Sequence, residues 1–347
     1  MKPYYYYLLL IVLFIGSCNN NEKTGQKGQV VVCSYGGSYQ EAQRKAFFEP
    51  FEKETGIKVI EANWSGEYAK IKAMVSAKNV QWDLVTSAEA SDVIRGANDG
   101  ILEKLDFSKM DKSTFLPGAL SDYSQGIDYF STALAYRTDV FKNDNYPKNW
   151  KDFWDLKKYP GKRSLRKDPR TTLEIALLAD GVDMKSLYPL DLGRAFKSLD
   201  KIKNNIVWWT TGSQPVEFLS SKEVTMSSVF NGRVWAAVKK DHLPLQVEWN
   251  QGILDLDRWI IPKGAKNLEN AMKLIEYSSR PEVQDRMLQY INYGPTIKKA
   301  YDHLSQQERV ILPTSPENYS KQVLFDGGWW AKNEQKVLEQ WNEWLLK

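Results

Sequence analysis

Strand-like and helix-like segments alternate from residue 29 to residue 100, and this alternation constrains the fold most. The strand-like segments are rich in β-branched and aromatic residues, whereas the longer segments between them have apolar residues at helical spacing. In chain order the segments read "QVVVCSY", "YQEAQRKAFFEPFEKETG", "IKVIEANW", "EYAKIKAMVSAKN", "WDLVTS" and "ASDVIRGANDG". Repeated strand–helix units of this kind predict a parallel α/β sheet with right-handed connections.

A second series of strands and helices follows the extended stretch "DYFSTALAYRTDVF". At 347 residues the chain is long enough for two domains, so this series predicts a second α/β domain. A later strand, "LDRWIIPKG", precedes a helical stretch that Pro281 is expected to kink or split. The last helix has apolar residues at near-helical spacing, which predicts a buried stripe consisting of Trp330, Val337, Trp341, Trp344 and Leu345.

The N-terminus has the features of an export signal. One basic residue precedes an apolar run that ends at Gly16, Ser17 and Cys18, and the run is shorter than the roughly 20 residues that span a bilayer. The order of these last residues resembles the lipobox of bacterial lipoproteins, which implies that Cys18 is acylated and becomes the mature N-terminus. We therefore expect a lipoprotein signal peptide at 1–17 and a flexible tether at 18–28. The alternative is an ordinary secretory signal in which Cys18 is incidental.

Composition and motifs exclude several classes of protein. The net charge is +4, and basic residues are spread along the chain rather than clustered, so no nucleic-acid partner is expected. There are two cysteines; with Cys18 lipidated, Cys33 would be a buried strand thiol without a disulfide partner. We find no P-loop, GxGxxG or HExxH motif, and we predict neither a cofactor nor a metal. The 13 Trp and 18 Tyr suit a site that holds a small ligand.

Several stretches resemble, in order and spacing, the extracytoplasmic solute-binding proteins of bacterial ABC importers, in the spermidine/putrescine-binding group. The stretches are "FEKETGIKV", "WDLV", "NGRVWAA", "RWIIPKGAKNLENAMKLIEYSSRPEVQ" and "YGPT". The resemblance implies a two-lobe periplasmic-binding-protein fold with a ligand cleft between the lobes. It assigns 29–134 plus 258–300 to lobe 1 and 138–252 plus 301–347 to lobe 2, with hinge strands near 135–137 and 253–257.

The same resemblance implies a function without chemistry. A small amine-containing solute would be captured in the cleft, the two lobes would close around it, and the membrane permease of the importer would recognise the closed form. The partners would be that ligand, the permease subunits and, through the anchor at Cys18, a bacterial membrane. We expect a monomer and no enzymatic activity.

Five candidate ligand-binding residues come from family positions. Polyamine-binding relatives hold an alkyl ammonium chain between aromatic faces and place carboxylates at its charged ends. The resemblance places Tyr35, Phe230 and Tyr293 at aromatic positions of the family. It places Asp168 and Asp257 at carboxylate positions.

Five further candidates mark departures from the family. Gly37 and Ser38 lie at a predicted helix start where backbone N–H groups can approach a ligand, although a plain strand-to-helix turn explains them equally well. Glu89 replaces a neutral residue, either as a ligand-binding acid or as a helix-start charge. Asp255 replaces a Trp; the alternative for both Asp255 and Asp257 is a charge at the rim that is paired to Lys. Arg233 would repel a polyamine but would bind a carboxylate, so that Arg233 and Asp257 together could hold a zwitterion such as γ-aminobutyrate (GABA). The alternative is that Arg233 belongs to a salt bridge at the surface or between the lobes.

Three other functions compete with the binding of an amine. A sugar-binding protein of the same fold would suit the aromatic residues, and a ferric-ion-binding protein of that fold would need paired tyrosines. A glycosidase built on Asp255 and Asp257 is disfavoured, because residues i and i+2 on one strand point to the same side of the sheet, whereas glycosidase carboxylates flank the bond that they cleave.

Overall fold

The computed structural model describes residues 28–87, 89–302 and 304–347. The predicted signal peptide, Cys18 and the tether up to residue 27 lie outside these residues. No helix within the described ranges is long and apolar enough to cross a membrane.

The fold is a mixed α/β structure around one continuous sheet. The main path of the sheet runs in the order β2-β1-β3-β9-β5-β8-β6-β7, and the short strands β4, β10 and β11 pair with β5 or β9. The strands are β1 Gln29–Ser34, β2 Lys58–Asn63, β3 Leu84–Ser87, β4 Leu120–Ser121, β5 Ser124–Arg137, β6 Arg163–Arg166, β7 Ile206–Trp209, β8 Met226–Phe230, β9 Leu245–Ile260, β10 Gly294–Pro295 and β11 Val323–Leu324.

Helices connect these strands in both halves of the chain. They are α1 Gly37–Gln43, α2 Glu49–Thr55, α3 Tyr68–Ser76, α4 Ala90–Asn98, α5 Trp150–Trp154, α6 Pro169–Ala179, α7 Leu192–Asp200, α8 Gln214–Ser220, α9 Asn231–Asp241, α10 Leu268–Ser278, α11 Pro281–Leu288, α12 Gln306–Val310, α13 Pro316–Tyr319 and α14 Gly327–Leu345. A π-helical segment, Arg44–Phe48, joins α1 to α2. Short 3-10 turns occur at Lys112–Thr114, Met184–Ser186, Lys203–Asn205 and Lys298–Tyr301.

The first half of the sheet confirms the predicted parallel α/β unit. β1 pairs in parallel with β2 on one side and with β3 on the other, and α1–α2 and α3 form the crossovers. Gly56 ends α2 in the left-handed conformation (φ 72°), as its position after the helical pattern predicts. Cys33 is fully buried in β1, which confirms the prediction of a strand thiol.

Two long antiparallel strands, β5 and β9, connect the two halves of the sheet. They pair along almost their whole length, with irregularities between Gly126 and Asp128 and between Thr132 and Leu134. The stretch "LDRWIIPKG", which we expected to be a strand of its own, contributes the end of the longer strand β9, which begins at Leu245 and ends at Ile260. The turn-favouring residues Asn250 and Gly252 lie within β9, and Gln251 between them adopts a positive φ of 65°. The strand nevertheless continues through them, with a shift in its register against β5.

The structure contains two large hydrophobic cores, one for each half of the sheet. The first takes its buried residues from 30–130 and 259–293, and the second takes them from 134–253 and 323–344. This arrangement agrees with a two-lobe architecture, whereas the lobe boundaries given above stay a prediction.

The C-terminal stripe and the Pro281 prediction are both confirmed. Trp330, Val337, Trp341 and Trp344 are buried in the second core, and Leu345 packs against it. Pro281 begins α11 directly after α10 has ended, because its ring cannot continue the preceding helix.

Candidate functional site

A cavity of about 140 Å³ lies where strands from both halves of the sheet end. Its lining combines aromatic rings, three carboxylates and two guanidinium groups. The lining residues are Tyr35, Tyr39, Trp64, Ser65, Gly66, Glu89, Phe130, Thr132, Arg166, Thr171, Trp209, Thr210, Thr211, Gly212, Phe230, Arg233, Ile253, Asp255, Asp257 and Tyr293.

The topology explains why these residues meet. Tyr35 directly follows β1, Trp64 directly follows β2, and Glu89 follows β3. Arg166 is the last residue of β6 and Phe230 the last residue of β8. Carboxyl ends of parallel strands gather at one edge of a sheet, which is where ligands bind in open α/β proteins.

Aromatic rings form two walls of the cavity. Tyr35 stacks on Trp64 with ring centroids 5.9 Å apart. Phe230 packs edge-on between Phe130 and Trp209, each at 5.5 Å. Such faces suit an alkyl chain and attract a cation.

Asp257 supplies a buried carboxylate to the cavity. It lies on β9, is 4% exposed, and has Asp128 of β5 as its partner across the strand pair. Burial raises the pKa of Asp257 to about 7, while the nearby Tyr39 hydroxyl opposes the rise. The Oδ1 atom of Asp257 has no hydrogen-bond partner among the described residues. A ligand ammonium is the kind of group that would satisfy it.

Asp255 faces the same cavity but already has a cationic partner. Its Oδ1 lies 3.2 Å from Nη1 of Arg258 on the same strand. Burial raises the pKa of Asp255 to about 7, although the Arg258 charge opposes this. Asp255 also lines a second cavity beside Tyr301 and Phe325. It is therefore less available to a ligand than Asp257 is.

Arg233 brings a guanidinium into the cavity without a carboxylate partner. It is 6% exposed, and it forms no ion pair with any residue that the structure describes. Its Nη1 donates a long hydrogen bond, 3.4 Å, to the carbonyl of Gly36, and its Nε has no acceptor in the described part of the chain. A buried cation in this state requires an acceptor from elsewhere.

Two glycines leave room for this guanidinium. A Cβ atom built on Gly37 would lie 2.8 Å from Arg233 Nη1, and one built on Gly212 would lie 2.8 Å from Nε. Gly37 does not line the cavity itself, so its connection to the site is through Arg233. Ser38 does not line the cavity either.

The sequence "NGR" positions Arg233. The Asn231 side chain accepts a hydrogen bond from Ser131 N and donates one to the carbonyl of Asn292, which holds the start of α9 against β5. A Cβ on Gly232 would lie 2.4 Å from the ring of Tyr293, so only glycine permits this close approach. Arg233 then follows directly and projects into the cavity.

Glu89 and Arg166 form an ion pair across the cavity. Arg166 Nη1 lies 3.2 Å from Glu89 Oε1, and its guanidinium also lies over the Trp209 ring at 6.0 Å from the centroid. Glu89 stands at the N-cap position of α4 but makes no capping hydrogen bond with its side chain. It therefore serves the ion pair rather than the helix end.

Asp168 caps the start of α6 and pairs with Arg170. Its side chain accepts from Arg170 N at the start of α6 and pairs with the Arg170 guanidinium at 2.9 Å. Burial alone would raise the pKa of Asp168, but the charges of Arg170 and then Arg166 hold it well below its usual range. Asp168 is not among the residues that line the cavity.

Seven of the ten sequence-predicted site residues thus lie together around the cavity, and Gly37, Ser38 and Asp168 do not line it. Sequence reasoning missed Trp64, Arg166 and Trp209. Each lies at or directly after the end of a strand, and this position is the signal that could have identified them. It also missed Tyr39 and Phe130. Among the described residues, no group of three His, Cys, Asp or Glu side chains could hold a metal ion.

Comparison with known proteins agrees with this geometry. The family of bacterial extracellular solute-binding proteins matches residues 46–314, more than half of the chain. The chain belongs to this family. Membership places the protein outside the cytoplasm and assigns it to a class whose role is to bind solutes.

Two characterised relatives bind amines according to their names. The gamma-aminobutyric acid-binding protein of Pseudomonas aeruginosa is 37% identical over 328 residues, which are 93% of this chain and 92% of the relative. The spermidine/putrescine-binding periplasmic protein of Escherichia coli is 30% identical over 259 residues, which are 71% of this chain and 72% of the relative.

Two solved structures share the fold over 92% of this chain and 99% of their own chains. The binding protein AgtB from A. tumefaciens R10, in complex with agropinic acid, has a TM-score of 0.85 at 32% identity. The binding protein AttC from Agrobacterium tumefaciens C58, in an open unliganded conformation, has a TM-score of 0.66 at 33% identity. The protein is thus a two-lobe α/β binding protein.

Proposed function

We propose that this protein is the substrate-binding component of an ABC importer and that its ligand is a zwitterion of the ω-amino acid class, such as GABA. The observation that carries the proposal is a pair of opposite charges in one aromatic cavity, the carboxylate of Asp257 and the guanidinium of Arg233, each of which has a buried polar atom without a hydrogen-bond partner among the described residues. An ammonium at one end of the ligand and a carboxylate at the other would satisfy both. The relative from Pseudomonas aeruginosa, named for GABA, supports this ligand class.

The roles of the individual residues follow from their chemistry. Asp257 receives the ammonium, because a buried ammonium needs a counter-charge. Arg233 binds the carboxylate with two parallel N–H donors, for which a planar guanidinium is suited. Tyr35, Phe230 and Tyr293 cover the methylene chain between these charged ends.

A closed arrangement of the two lobes supports capture by closure. The protein is more similar to liganded AgtB than to open AttC, although both relatives have nearly equal sequence identity and coverage. Contacts between the proposed lobes are also numerous, including Arg166 with Glu89 at 3.2 Å and Arg95 with Glu334 at 2.6 Å. In this proposal the ligand shifts the population toward the closed form, and no chemical step follows.

A polyamine is the second candidate ligand, and the three carboxylates of the cavity favour it. Glu89, Asp255 and Asp257 are acidic, as a ligand with several ammonium groups would require. Two of them, however, are already paired with Arg166 and Arg258. The unpaired charge of Arg233 would repel a second ammonium, so the zwitterion fits the cavity better.

The location of the protein completes the proposal. The family is extracellular, and the segment ending at Cys18 resembles a lipoprotein signal. We infer a lipid anchor at Cys18 that keeps a monomeric receptor near its permease. One acyl chain binds a membrane only marginally, so stable attachment requires more than one chain.

The proposal is tested with GABA and with two analogues that each carry only one of its two charged groups. Calorimetry would compare GABA with butylamine, which lacks the carboxylate, and with butyrate, which lacks the ammonium. Each half leaves one buried charge unmatched, so each should bind more weakly than GABA by about 2–5 kcal/mol. Putrescine, spermidine and glucose complete the panel.

Asp257→Asn is the matched protein variant. It should weaken GABA binding by a similar amount, since it removes the counter-charge of the ammonium while keeping the side-chain shape. Tight binding of glucose with no response to any amine would contradict the proposal. So would equal affinity for GABA and butyrate.

A further inference from the structure

Asp128 lies behind Asp257 and does not line the cavity. The two residues are directly opposite each other on β5 and β9, and Asp128 is 3% exposed. The Tyr39 hydroxyl of α1 donates to Asp128 Oδ2 at 3.0 Å. The Oδ1 atoms of both aspartates are buried and have no hydrogen-bond partner within the described ranges.

No cation in the part of the chain that the structure describes compensates Asp128. Asp128 lines a small cavity together with Phe47, Met287 and Gln284. The Gln284 amide already donates to Ile127 O and Thr296 Oγ1, so it offers no donor to the carboxyl group. Two adjacent carboxylates in such surroundings cannot both be ionised at low cost.

The charged and titratable groups around the pair act on its two members unequally. Tyr39, Tyr293 and Asp257 are the titratable groups that face Asp128. Arg233, Arg258 and Asp255 act on Asp257 instead. Burial, and then the negative charge of Asp257, raises the pKa of Asp128 well above its usual value. The proton of the pair therefore belongs on Asp128, while the cations favour ionisation of Asp257.

We infer that Asp128 keeps its proton and donates a hydrogen bond to Asp257, so that the pair offers the ligand one negative charge and a fixed acceptor. This inference rests on the proposed function, because it concerns how the ammonium site is built. Asp128 is a positioning residue in this arrangement, since it acts through Asp257. A pair with a single negative charge matches one ammonium group, which favours a monoamine over a diamine.

Paired substitutions test the inference. Asp128→Asn replaces the neutral acid with a neutral side chain of the same shape that still has a donor, so GABA affinity should stay within about threefold of wild type. Asp257→Asn should lower it by about 30-fold or more. Asp128→Leu, which has no donor, should lower it by about tenfold or more. Equal losses for the two Asn variants would overturn the inference, because Asp128 would then act as a second negative charge.

The proton itself can be observed. Infrared spectroscopy of the unliganded protein at pH 8 should show the C=O stretch of a neutral carboxylic acid, and Asp128→Asn should remove it. Glu174→Gln is the matched control, because Glu174 is a fully buried acid whose pKa burial raises to about 7, and it lies outside the cavity. Its substitution should leave the Asp128 signal unchanged. Absence of any signal sensitive to Asp128→Asn would overturn the inference.

Calorimetry separates failure of the inference from failure of the proposed function. GABA titrations at pH 8 in phosphate and in Tris should give the same binding enthalpy. The number of protons exchanged with the buffer is then close to zero, because the pair keeps its proton on binding. Release of one proton per GABA would overturn the inference and leave the proposed function standing. No binding of GABA or putrescine would refute the proposed function, and the infrared measurement would still decide the protonation of Asp128.

Discussion

Replacement of Arg233 by methionine should have opposite effects on ligand binding and on stability. Methionine has a similar length and no charge, so it fills the space of the guanidinium without leaving a cavity. Arg233 has no carboxylate partner among the described residues. Its removal therefore breaks no ion pair there and relieves the burial of an unmatched charge.

The magnitudes differ for the two measurements. Loss of one partner of a buried charge pair costs about 2–5 kcal/mol, which is about 30-fold to about 5,000-fold in the affinity for GABA. The free energy of unfolding without ligand should be unchanged or higher, because removing an unmatched buried charge is neutral or stabilising. Putrescine should bind as well as before or better, since a like charge has been removed.

Calorimetric titration measures the first effect and differential scanning calorimetry the second. Arg280→Met is the matched control, because Arg280 forms an ion pair with Glu54 at the surface and does not line the cavity. Gly212→Ala is a second probe: its Cβ would lie 2.8 Å from Arg233 Nε and would displace the guanidinium while the charge stays. It should weaken GABA binding as well. A lower melting temperature of unliganded Arg233→Met together with unchanged GABA affinity would refute the reasoning, because Arg233 would then be a structural residue.

Three further predictions concern pH, closure and anchoring. Asp255 and Asp257 have folded-state pKa values raised to about 7, so the unliganded protein should lose stability as pH rises from 4 to 8. The loss in the free energy of unfolding should be up to about 1.4 kcal/mol per pH unit and group. Denaturation at stepped pH measures it, and stability that rises with pH would contradict it. Glu334→Gln removes the negative charge that Arg95 contacts at 2.6 Å, so the closed form should be less populated and ligand affinity weaker. An unchanged radius of gyration in scattering together with an unchanged affinity in calorimetry would contradict it. Cys18→Ser should release the protein from membranes, as fractionation with a fatty-acid probe would show, and an unlabelled wild-type protein would refute the anchor.

Local sequence patterns predicted the secondary structure well, because each element is marked by its own residues. The parallel order of β1, β2 and β3 follows from the strand–helix alternation and the right-handed crossover. The pairing of β5 with β9 could not be read in the same way. It joins residues more than 100 positions apart, and its register depends on packing between the two halves of the sheet.

In the candidate site, too, the sequence identified some features, whereas others depend on the fold. Asp257 and Arg233 could be singled out through the family resemblance, because Asp257 matches a carboxylate position of the family and Arg233 departs from its pattern. Whether each charged residue is ion-paired or free to bind a ligand depends on neighbours that only the fold provides. Asp255, two residues from Asp257, is neutralised by Arg258, and Asp168 pairs with Arg170 instead of reaching the cavity. Nothing in the sequence pattern distinguishes the paired carboxylates from the unpaired one.

The unmatched charges also indicate why closure should depend on ligand. In the proposed closure, a closed cleft without ligand would bury Arg233 with only the long hydrogen bond to the Gly36 carbonyl among the described residues, whereas an open cleft would leave its guanidinium hydrated. Contacts such as Arg95 with Glu334 favour the closed form whether or not ligand is present, so the two effects oppose each other in the empty protein. Shifting a population from 1:99 to 99:1 requires about 5.5 kcal/mol of differential binding. Two or three hydrogen bonds to charged groups, at about 1.5–3 kcal/mol each, are of that size. The charges at Asp257 and Arg233 are therefore sufficient, in magnitude, to make closure report the presence of a ligand that carries both an ammonium and a carboxylate.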